Sequence, residues 1–408
     1  VEGHDLKFAV RVDDKREGFR VRIAGKVKQK ASLLRALPMG VIVPALLLCA
    51  CGIAFIHSAT TDFEMVAEGV ARAGGQHYRQ LGFAGAGLLL MLFIALLPPR
   101  WLSTHWYAWL MLGVALLGSV LVLGRTINGA KSWIMIGSFG VQPSELCKPL
   151  LVIALAGYLR YHKSIDSLRA FVLCLVIAGA FLVPIMLQPD LGTAMVFIPV
   201  VAAMIWVAGG NRVYLGSMAM VGVSIIPAAF VFGVLKEHQM KRVEIYLSGL
   251  SGEVADRTGD GYQILQSMTA IGSGGLSGEG FGAGSQSQLA FLPERHNDFI
   301  FAVIAQETGL LGVCAFVAIL FFMVTRILRV ADRTRDPFSR LVVIGVAALF
   351  FAQASINIGV VSGVLPVTGI TLPLVSYGGS SLLSGFAALG LVCNVAIQPV
   401  RVMGKATF

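Results

Sequence analysis

The chain has 408 residues, of which 56% are hydrophobic and only 13% charged, with a mean hydropathy of +0.79. A soluble protein of this size carries nearer ~25% charged residues, so the composition excludes a soluble globular enzyme and leaves an integral membrane protein. The net charge of +10 does not signal nucleic acid: ten Lys and Arg precede Leu37 and most of the rest fall in short connections, which is the pattern of membrane topology.

A basic tail over 1–36 comes first. Its Phe19-Arg20-Val21-Arg22-Ile23 alternation fits a small β element or an interfacial segment, and the plainer reading is a basic tail held near anionic lipid. The first apolar run starts too far in for an ordinary signal peptide and reads as a retained span. A span needs roughly 20 mostly apolar residues, and that rule yields about ten. They fall at 39–57, 81–98, 107–123, 144–160, 170–188, 191–209, 213–235, 299–328, 339–362 and 379–399. The fourth is the least apolar, carrying Glu145 and Lys148. Little more than Gln188-Pro189-Asp190 separates the fifth from the sixth, and the proline forces a break there. The expected fold is therefore an all-α integral membrane protein, a polytopic bundle of about ten transmembrane helices. Its membrane domain covers 37–400, with a large loop at 236–298 and a C-terminal tail at 401–408.

Charge sets the expected orientation. Arg100, then Arg160, Lys163 and Arg169, then Arg212, then Arg326 to Arg340 occupy alternate connections, and the C-terminal tail holds Arg401 and Lys405. Both termini are expected on the cytoplasmic side, with 124–143, 188–190, 236–298 and 363–378 outside. The six cysteines lie in or beside apolar runs without metal-ligand spacing and read as small buried hydrophobes.

The outer connections carry the motifs. Gly129-Ala130-Lys131-Ser132-Trp133 precedes Gln142-Pro143-Ser144-Glu145-x-x-Lys148. Ser144 is expected to cap the helix that Pro143 introduces, with Glu145 in its first turn. Glu145 and Lys148 form either a structural i,i+3 pair or a polar patch for a phosphate or sugar. In Gln188-Pro189-Asp190-Leu191-Gly192-Thr193, Asp190 suits the cap of the next helix, Gly192 permits close packing, and substrate contact remains open. The glycine-rich run from Gly272 to Gly280 lacks the Gly-Lys-Ser/Thr ending of a nucleotide loop, so its glycines are expected to let backbone approach the membrane surface or a ligand.

Glu294-Arg295-His296-Asn297-Asp298 crowds acid, base and imidazole before the run at Phe299. A zinc site would want more ligands. Asp298 is either the N-cap of the following helix or a general base at the membrane surface. Finally, Asn357-Ile358-Gly359 to Gly363-Val364-Leu365-Pro366, then Leu372-Pro373-Leu374-Val375-Ser376-Tyr377-Gly378-Gly379-Ser380-Ser381, break a re-entrant segment that is expected to form one wall of an outward cavity.

In this order, Gln-Pro-Ser-Glu, Gln-Pro-Asp-Leu-Gly-Thr, Gly-Tyr-Gln, Phe-Leu-Pro-Glu-Arg-His-x-Asp-Phe and Ser-Tyr-Gly-Gly-Ser resemble the SEDS family of cell-wall glycosyltransferases, the RodA and FtsW proteins. The resemblance spans nearly the whole chain, and Gly284 to Leu289 with Phe291 to His296 looks closer to the RodA branch, which serves elongation. It implies a bacterial plasma-membrane enzyme that polymerises lipid II into glycan strands on the outer face. It also implies a class B penicillin-binding transpeptidase as partner, other elongation-complex proteins, membrane lipid and polyprenyl diphosphate as ligands, and no nucleic acid. Asp298 matches the family's essential aspartate. Arg125, Lys131, Trp133, Gln142, Glu145, Lys148, Gln188, Asp190, Arg295, His296, Ser376 and Tyr377 are the expected substrate-binding set. Arg125, Lys131, Lys148 and Arg295 are the candidate partners for the departing diphosphate, and a divalent cation (Mg2+ or Mn2+) could help them. Two positions depart from the family pattern: Ser132 stands where members carry Arg before the Trp, and Ala290 where many carry a polar or acidic residue. Two other classes stay open: a flippase or transporter for lipid-linked precursor, which Glu145, Lys148 and Glu307 in spans would suit, and a non-catalytic scaffold.

Overall fold

The computed structural model describes residues 36–61, 75–127, 130–137, 139–162, 165–231, 240, 244, 260–285 and 294–397. The basic tail, the C-terminal tail, Phe291 to Pro293, Ala290 and much of the 236–298 loop lie outside the described residues.

Each of the ten apolar runs folds as a helix. They are α1 (Met39–Thr60), α2 (Gln76–Leu96), a short α3 (Pro99–Thr104) leading into α4 (Trp106–Leu123), α5 (Pro143–Leu159), α6 (Leu168–Leu187), α7 (Leu191–Val207) and α8 (Arg212–Val231). After the large loop, which contributes α9 (Asp260–Ser273), come α10 (Ile300–Asp332), α11 (Pro337–Val361) and α12 (Gly379–Ala396). Among the described residues, seven helices are long and apolar enough to cross a membrane, and Leu191–Val207 is a shorter apolar helix. The molecule is thus an all-α polytopic membrane protein.

Local chemistry sets the ends. Asp190 caps α7 by accepting from the Thr193 N–H, Asp336 caps α11 by accepting from the Ser339 N–H, and Ser167 caps α6 through Ala170. Pro143 and Pro337 sit in first turns, where a missing N–H is harmless. Pro44, Pro149, Pro184 and Pro199 lie inside helices, which neighbouring helices make tolerable in a bundle.

The bundle is centred on its last helix. Of the apolar window of α12, 83% is buried inside the protein, against 17% for α4, so α12 is the hub and α4 lies at the rim. α12 packs on α2, α5 and α11, and α10 packs on α1 and α11. Phe181, Phe197, Phe350 and Phe386 are among the largest side chains wholly buried in this core. The cysteines are all free; Cys49, Cys147, Cys174 and Cys393 are buried as expected, whereas Cys314 is exposed on α10.

Two features were not legible as elements. The 124–143 connection is a three-stranded antiparallel meander of β1 (Arg125–Ile127), β2 (Ala130–Ile136) and β3 (Phe139–Val141), in order β1-β2-β3. Arg125 pairs with Trp133, and Ile134 with Val141. α10 is also broken at Gly309, whose φ 65° and ψ −168° belong to a region only glycine occupies readily. The glycine-rich loop fills this break. The N–H groups of Glu279 and Gly280 donate to the carbonyls of Gln306 and Glu307, at 2.9 and 3.1 Å. Those of Leu310 and Leu311 donate back to Gly275 and Leu276, at 2.9 and 3.2 Å. A Cβ at Gly274, Gly278 or Gly309 would land on backbone of the opposing segment. Gly274 and Gly278 therefore serve a close approach to α10. Just before the break, Glu307 is buried and accepts a hydrogen bond from the Ser58 hydroxyl on α1.

Candidate active site

The head of α10 is built from a turn over Glu294–Phe299. Glu294 adopts φ 51°, its carbonyl accepts from the Asn297 N–H at 2.9 Å, and its carboxylate accepts from Asn297 Nδ2 at 2.6 Å. The N-cap position falls on Phe299, which makes no side-chain cap, and the helix starts at Ile300. Asp298 thus stands one residue outside the cap position, near the positive end of the helix, a setting that favours a carboxylate.

Two ties fasten this turn to the 363–378 segment. The Tyr377 N–H donates to the His296 carbonyl at 2.9 Å, with the two rings 5.6 Å apart. Asn357 on α11 donates through Nδ2 to the carbonyls of Asp298 (2.8 Å) and Ile370 (2.6 Å). Gly369, at φ 69°, passes so close that a Cβ there would sit 3.6 Å from Asp298 Oδ2. Burial holds the His296 imidazole below its ordinary pKa; Glu294 pulls it upward, and Arg295 adds to the lowering. The ring is therefore neutral near pH 7.

A second polar group lies at the head of α5. Asp190 Oδ2 accepts from Gln142 Nε2 (3.0 Å), from the Ser144 hydroxyl (3.0 Å) and from the Thr193 hydroxyl (2.9 Å), while Oδ1 takes the Thr193 N–H (3.0 Å). Ser144 therefore does not cap α5 as expected; the N-cap is Gln142, and the serine hydroxyl is spent on Asp190. One turn deeper, Lys148 Nζ donates to Glu145 Oε1 at 2.7 Å and to Gln353 Oε1 at 3.1 Å. Gln353 Nε2 continues to the Thr371 carbonyl at 2.9 Å, and Thr371 shares a hydrogen with Ser381 at 2.8 Å. Ser380 accepts from the Gln142 N–H at 2.9 Å, and Ser384 donates to the Glu145 carbonyl at 2.7 Å.

The 363–378 segment is the common wall. Through Asn357 and Tyr377 it meets the Asp298 turn, and through Thr371 it meets the Glu145–Lys148 pair. It is pinned from behind: Leu372 N–H donates to the Ser376 hydroxyl at 2.7 Å, and Gln80 Nε2 donates to the Ser376 carbonyl at 3.0 Å. So the fold brings Asp298, His296, Ser376, Tyr377, Gln142, Asp190, Glu145 and Lys148 around one segment, with Arg295 in the Asp298 turn. The remaining expected residues attach elsewhere. Lys131 donates to the Leu121 carbonyl in the last turn of α4 at 2.7 Å, Gln188 Nε2 donates to the Leu117 carbonyl at 3.0 Å, and Arg125 is exposed on β1 opposite the half-buried Trp133.

Sequence reading did not single out Gln353, Asn357 as a donor, Thr371, Ser384 or Gln80. A signal existed for two of them: Gln353 and Asn357 are polar residues four apart in an apolar helix and so share a face. Among the described residues, no three His, Cys, Asp or Glu side chains gather as a metal site.

Residues 39–400 match the sequence model of the family described as FTSW_RODA_SPOVE, cell cycle protein. The chain is 36% identical over 389 residues to the probable peptidoglycan glycosyltransferase FtsW of Thiomicrospira cyclica, covering 92% of this chain and 95% of that one. It is 36% identical over 322 residues to the peptidoglycan glycosyltransferase MrdB of Escherichia coli K12, covering 79% and 85%. Against stage V sporulation protein E of Bacillus subtilis it is 39% identical over 326 residues, covering 78% and 86%. These similar identities do not single out one branch. The crystal structure of the rod shape determining protein RodA of Thermus thermophilus superposes with a TM-score of 0.65 at 30% identity, covering 88% of this chain and 96% of that one. A chain from a structure described as "Structural coordination of polymerization and crosslinking by a peptidoglycan synthase complex" superposes with a TM-score of 0.74 at 32% identity, covering 88% and 96%. A match over nearly the entire membrane domain, together with the fold, places the chain in the FtsW/RodA/SpoVE family, the SEDS proteins.

Proposed function

We propose that the chain is a peptidoglycan glycosyltransferase that polymerises lipid II at the outer face of the bacterial plasma membrane, with Asp298 as general base. The observation that carries this reading is the placement of the Asp298 carboxylate at the head of α10, outside the cap position and against the glycine floor of the 363–378 segment. Family membership and relatives named as glycosyltransferases support it.

The chemistry suits one carboxylate. The donor sugar is α-linked to a polyprenyl diphosphate and the product linkage is β, so the reaction inverts. One base removes the proton of the acceptor 4-hydroxyl while the diphosphate leaves from the opposite face. The leaving group needs positive charge. Lys148 is matched by Glu145, which leaves Arg295 in the Asp298 turn, Arg125 on β1 and Lys131 on β2 as the candidate cations. A divalent ion, where used, would be shared between substrate phosphates and a protein carboxylate. We further assign both termini to the cytoplasm, the role to elongation, and the partner to a class B penicillin-binding transpeptidase. The positive-inside pattern, the RodA-like loop sequence and the likeness to a synthase-complex chain support these assignments in turn.

Strand synthesis from purified lipid II, with the partner present and other glycosyltransferases blocked, tests the reading. Parent protein makes polymer, and folded, partner-bound Asp298→Asn makes none. Equal polymer from both would leave Asp298 a structural residue. A second reading, lipid-linked precursor transport, draws on the α10 break beside buried Glu307, since broken helices with buried carboxylates occur in transporters. Lipid translocation without polymer formation would favour it.

A further inference from the structure

The Asp298 carboxylate is placed by groups that are not its own. Its residue lies in a turn, just before a helix begins. One side chain on another helix ties its main chain to the facing segment. The Asn357 amide donates its two N–H bonds to two carbonyls, that of Asp298 at 2.8 Å and that of Ile370 at 2.6 Å. Asn357 is 1% exposed and its bond to Ile370 is buried, so losing it would leave a buried carbonyl unpaired, while the bond to Asp298 is part-buried. Ile370 is the residue after Gly369, over which Asp298 Oδ2 sits. One amide therefore ties the main chain that carries the carboxylate to the main chain beside the floor.

We propose that Asn357 is a positioning residue for Asp298, setting the carboxylate against Gly369 through paired hydrogen bonds to the main chain on either side. The inference rests on Asp298 being the base. The geometry is selective for an amide. A hydroxyl has one hydrogen to donate, and a carboxylate in place of the amide would face two carbonyls with like partial charge. The neighbouring tie, Tyr377 N–H to the His296 carbonyl, is a main-chain bond and leaves Asp298 two residues further on, so it does not replace the clamp.

The test compares the parent, Asn357→Ala, Asn357→Ser and Asp298→Asn as full chains with partner in detergent, measuring initial polymerisation rates against lipid II concentration and pH. Thermal unfolding checks the fold. For folded Asn357→Ala we expect kcat to fall about 10- to 100-fold, the scale of a misplaced reacting group, with KM within about twofold. We also expect the acid limb of the pH–kcat profile to move by about half a unit or more, because the carboxylate changes surroundings. A merely structural residue would reduce the active fraction without moving that limb, so a fall in kcat with an unmoved limb overturns the proposal. So does an unchanged kcat while Asp298→Asn is dead, and that result leaves the base assignment standing. If Asp298→Asn polymerises like the parent, the base assignment fails and takes the proposal with it. Where the alanine variant does not fold, Asn357→Ser, which keeps one donor, is read in the same way: a moved limb supports the clamp, and an unmoved one overturns it.

Discussion

Lys148 Nζ lies 2.7 Å from Glu145 Oε1, one turn along α5, and the two side chains are only 1% and 9% exposed. Two opposite charges taken from water keep their place only if each is paired and its remaining hydrogen-bonding capacity is used. Gln353 supplies the second bond to the ammonium, and Ser384 holds the main chain at Glu145. Lys148→Met, which leaves a buried unpaired carboxylate, is expected to cost about 3–5 kcal/mol. The double variant Lys148→Met with Glu145→Gln is expected to recover most of that loss. Chemical denaturation in detergent measures both, and a double variant no more stable than the single would contradict the pairing argument.

The spliced break in α10 predicts an order among glycine substitutions. Gly309→Ala and Gly278→Ala each combine positive φ with a Cβ placed on opposing backbone, and we expect losses of about 2–4 kcal/mol. Gly275 also has positive φ, but a Cβ there meets nothing within 4 Å, so Gly275→Ala should cost nearer ~1 kcal/mol. Thermal midpoints of the three variants decide the order.

Asp190 joins α5 to α7. Asp190→Ala removes a helix cap, worth about 1–2 kcal/mol, and strands the donors of Gln142 and Ser144 as well. Asp190→Asn should cost less, because its carbonyl oxygen still accepts from the Thr193 N–H and the hydroxyls of Ser144 and Thr193 can turn to accept from its amide. Equal losses in unfolding experiments would mean that the hydroxyl bonds matter more than the cap.

The depressed pKa of His296 gives a pH dependence whose sign follows from linkage. The folded state resists protonating the ring, while the unfolded chain takes up a proton near 6.5. Stability is therefore full above that value and declines as pH falls from 6.5 toward the folded pKa. His296→Gln should show a shallower loss of thermal midpoint over that acid range. An unchanged slope would place the titration elsewhere.

Glu279 acts in the same sense in a more acidic window. Burial works against its ionisation, but hydrogen bonds from Ser273, Ser285 and Gln306 prevail and hold the carboxyl below its usual pKa. Its contribution is present above the ordinary carboxylate value of 4.5 and is lost as pH falls through the lowered one. Glu279→Gln is expected to lower the thermal midpoint at pH 7 and to remove that part of the acid dependence; a midpoint equal to the parent's at pH 7 would refute it.

The helices were legible because hydropathy is a one-dimensional signal: all ten runs became helices at nearly the expected places. The Asp190 cap was legible too, since Pro-Asp-x-Gly-Thr is local chemistry. The role of Ser144 was not, because its partner is 46 residues away and competes with the cap it could have made. Nor were β1 and β3 legible, at three residues each, too short to show an alternation. The glycine loop showed that close approach was needed but not what was approached, which depends on a helix break that apolar composition conceals. Gln353 of α11 was hidden for the same reason, and Asn357, though part of a visible motif, shows its partners only once the 363–378 segment lies beside it.

The splice at Gly309 also sorts the loop into what is free to change and what is fixed. Its four main-chain bonds to α10 ask nothing of the side chains that carry them, whereas Glu279 and Ser285 meet Gln306 of α10 through their side chains. Leu276 and Ser277 point outward and exposed, while Gly274, Gly278 and Gly309 have no room for a side chain. Related chains can therefore dress this surface differently, for different neighbours, while the short upper piece of α10 that carries Asp298 keeps the same seat.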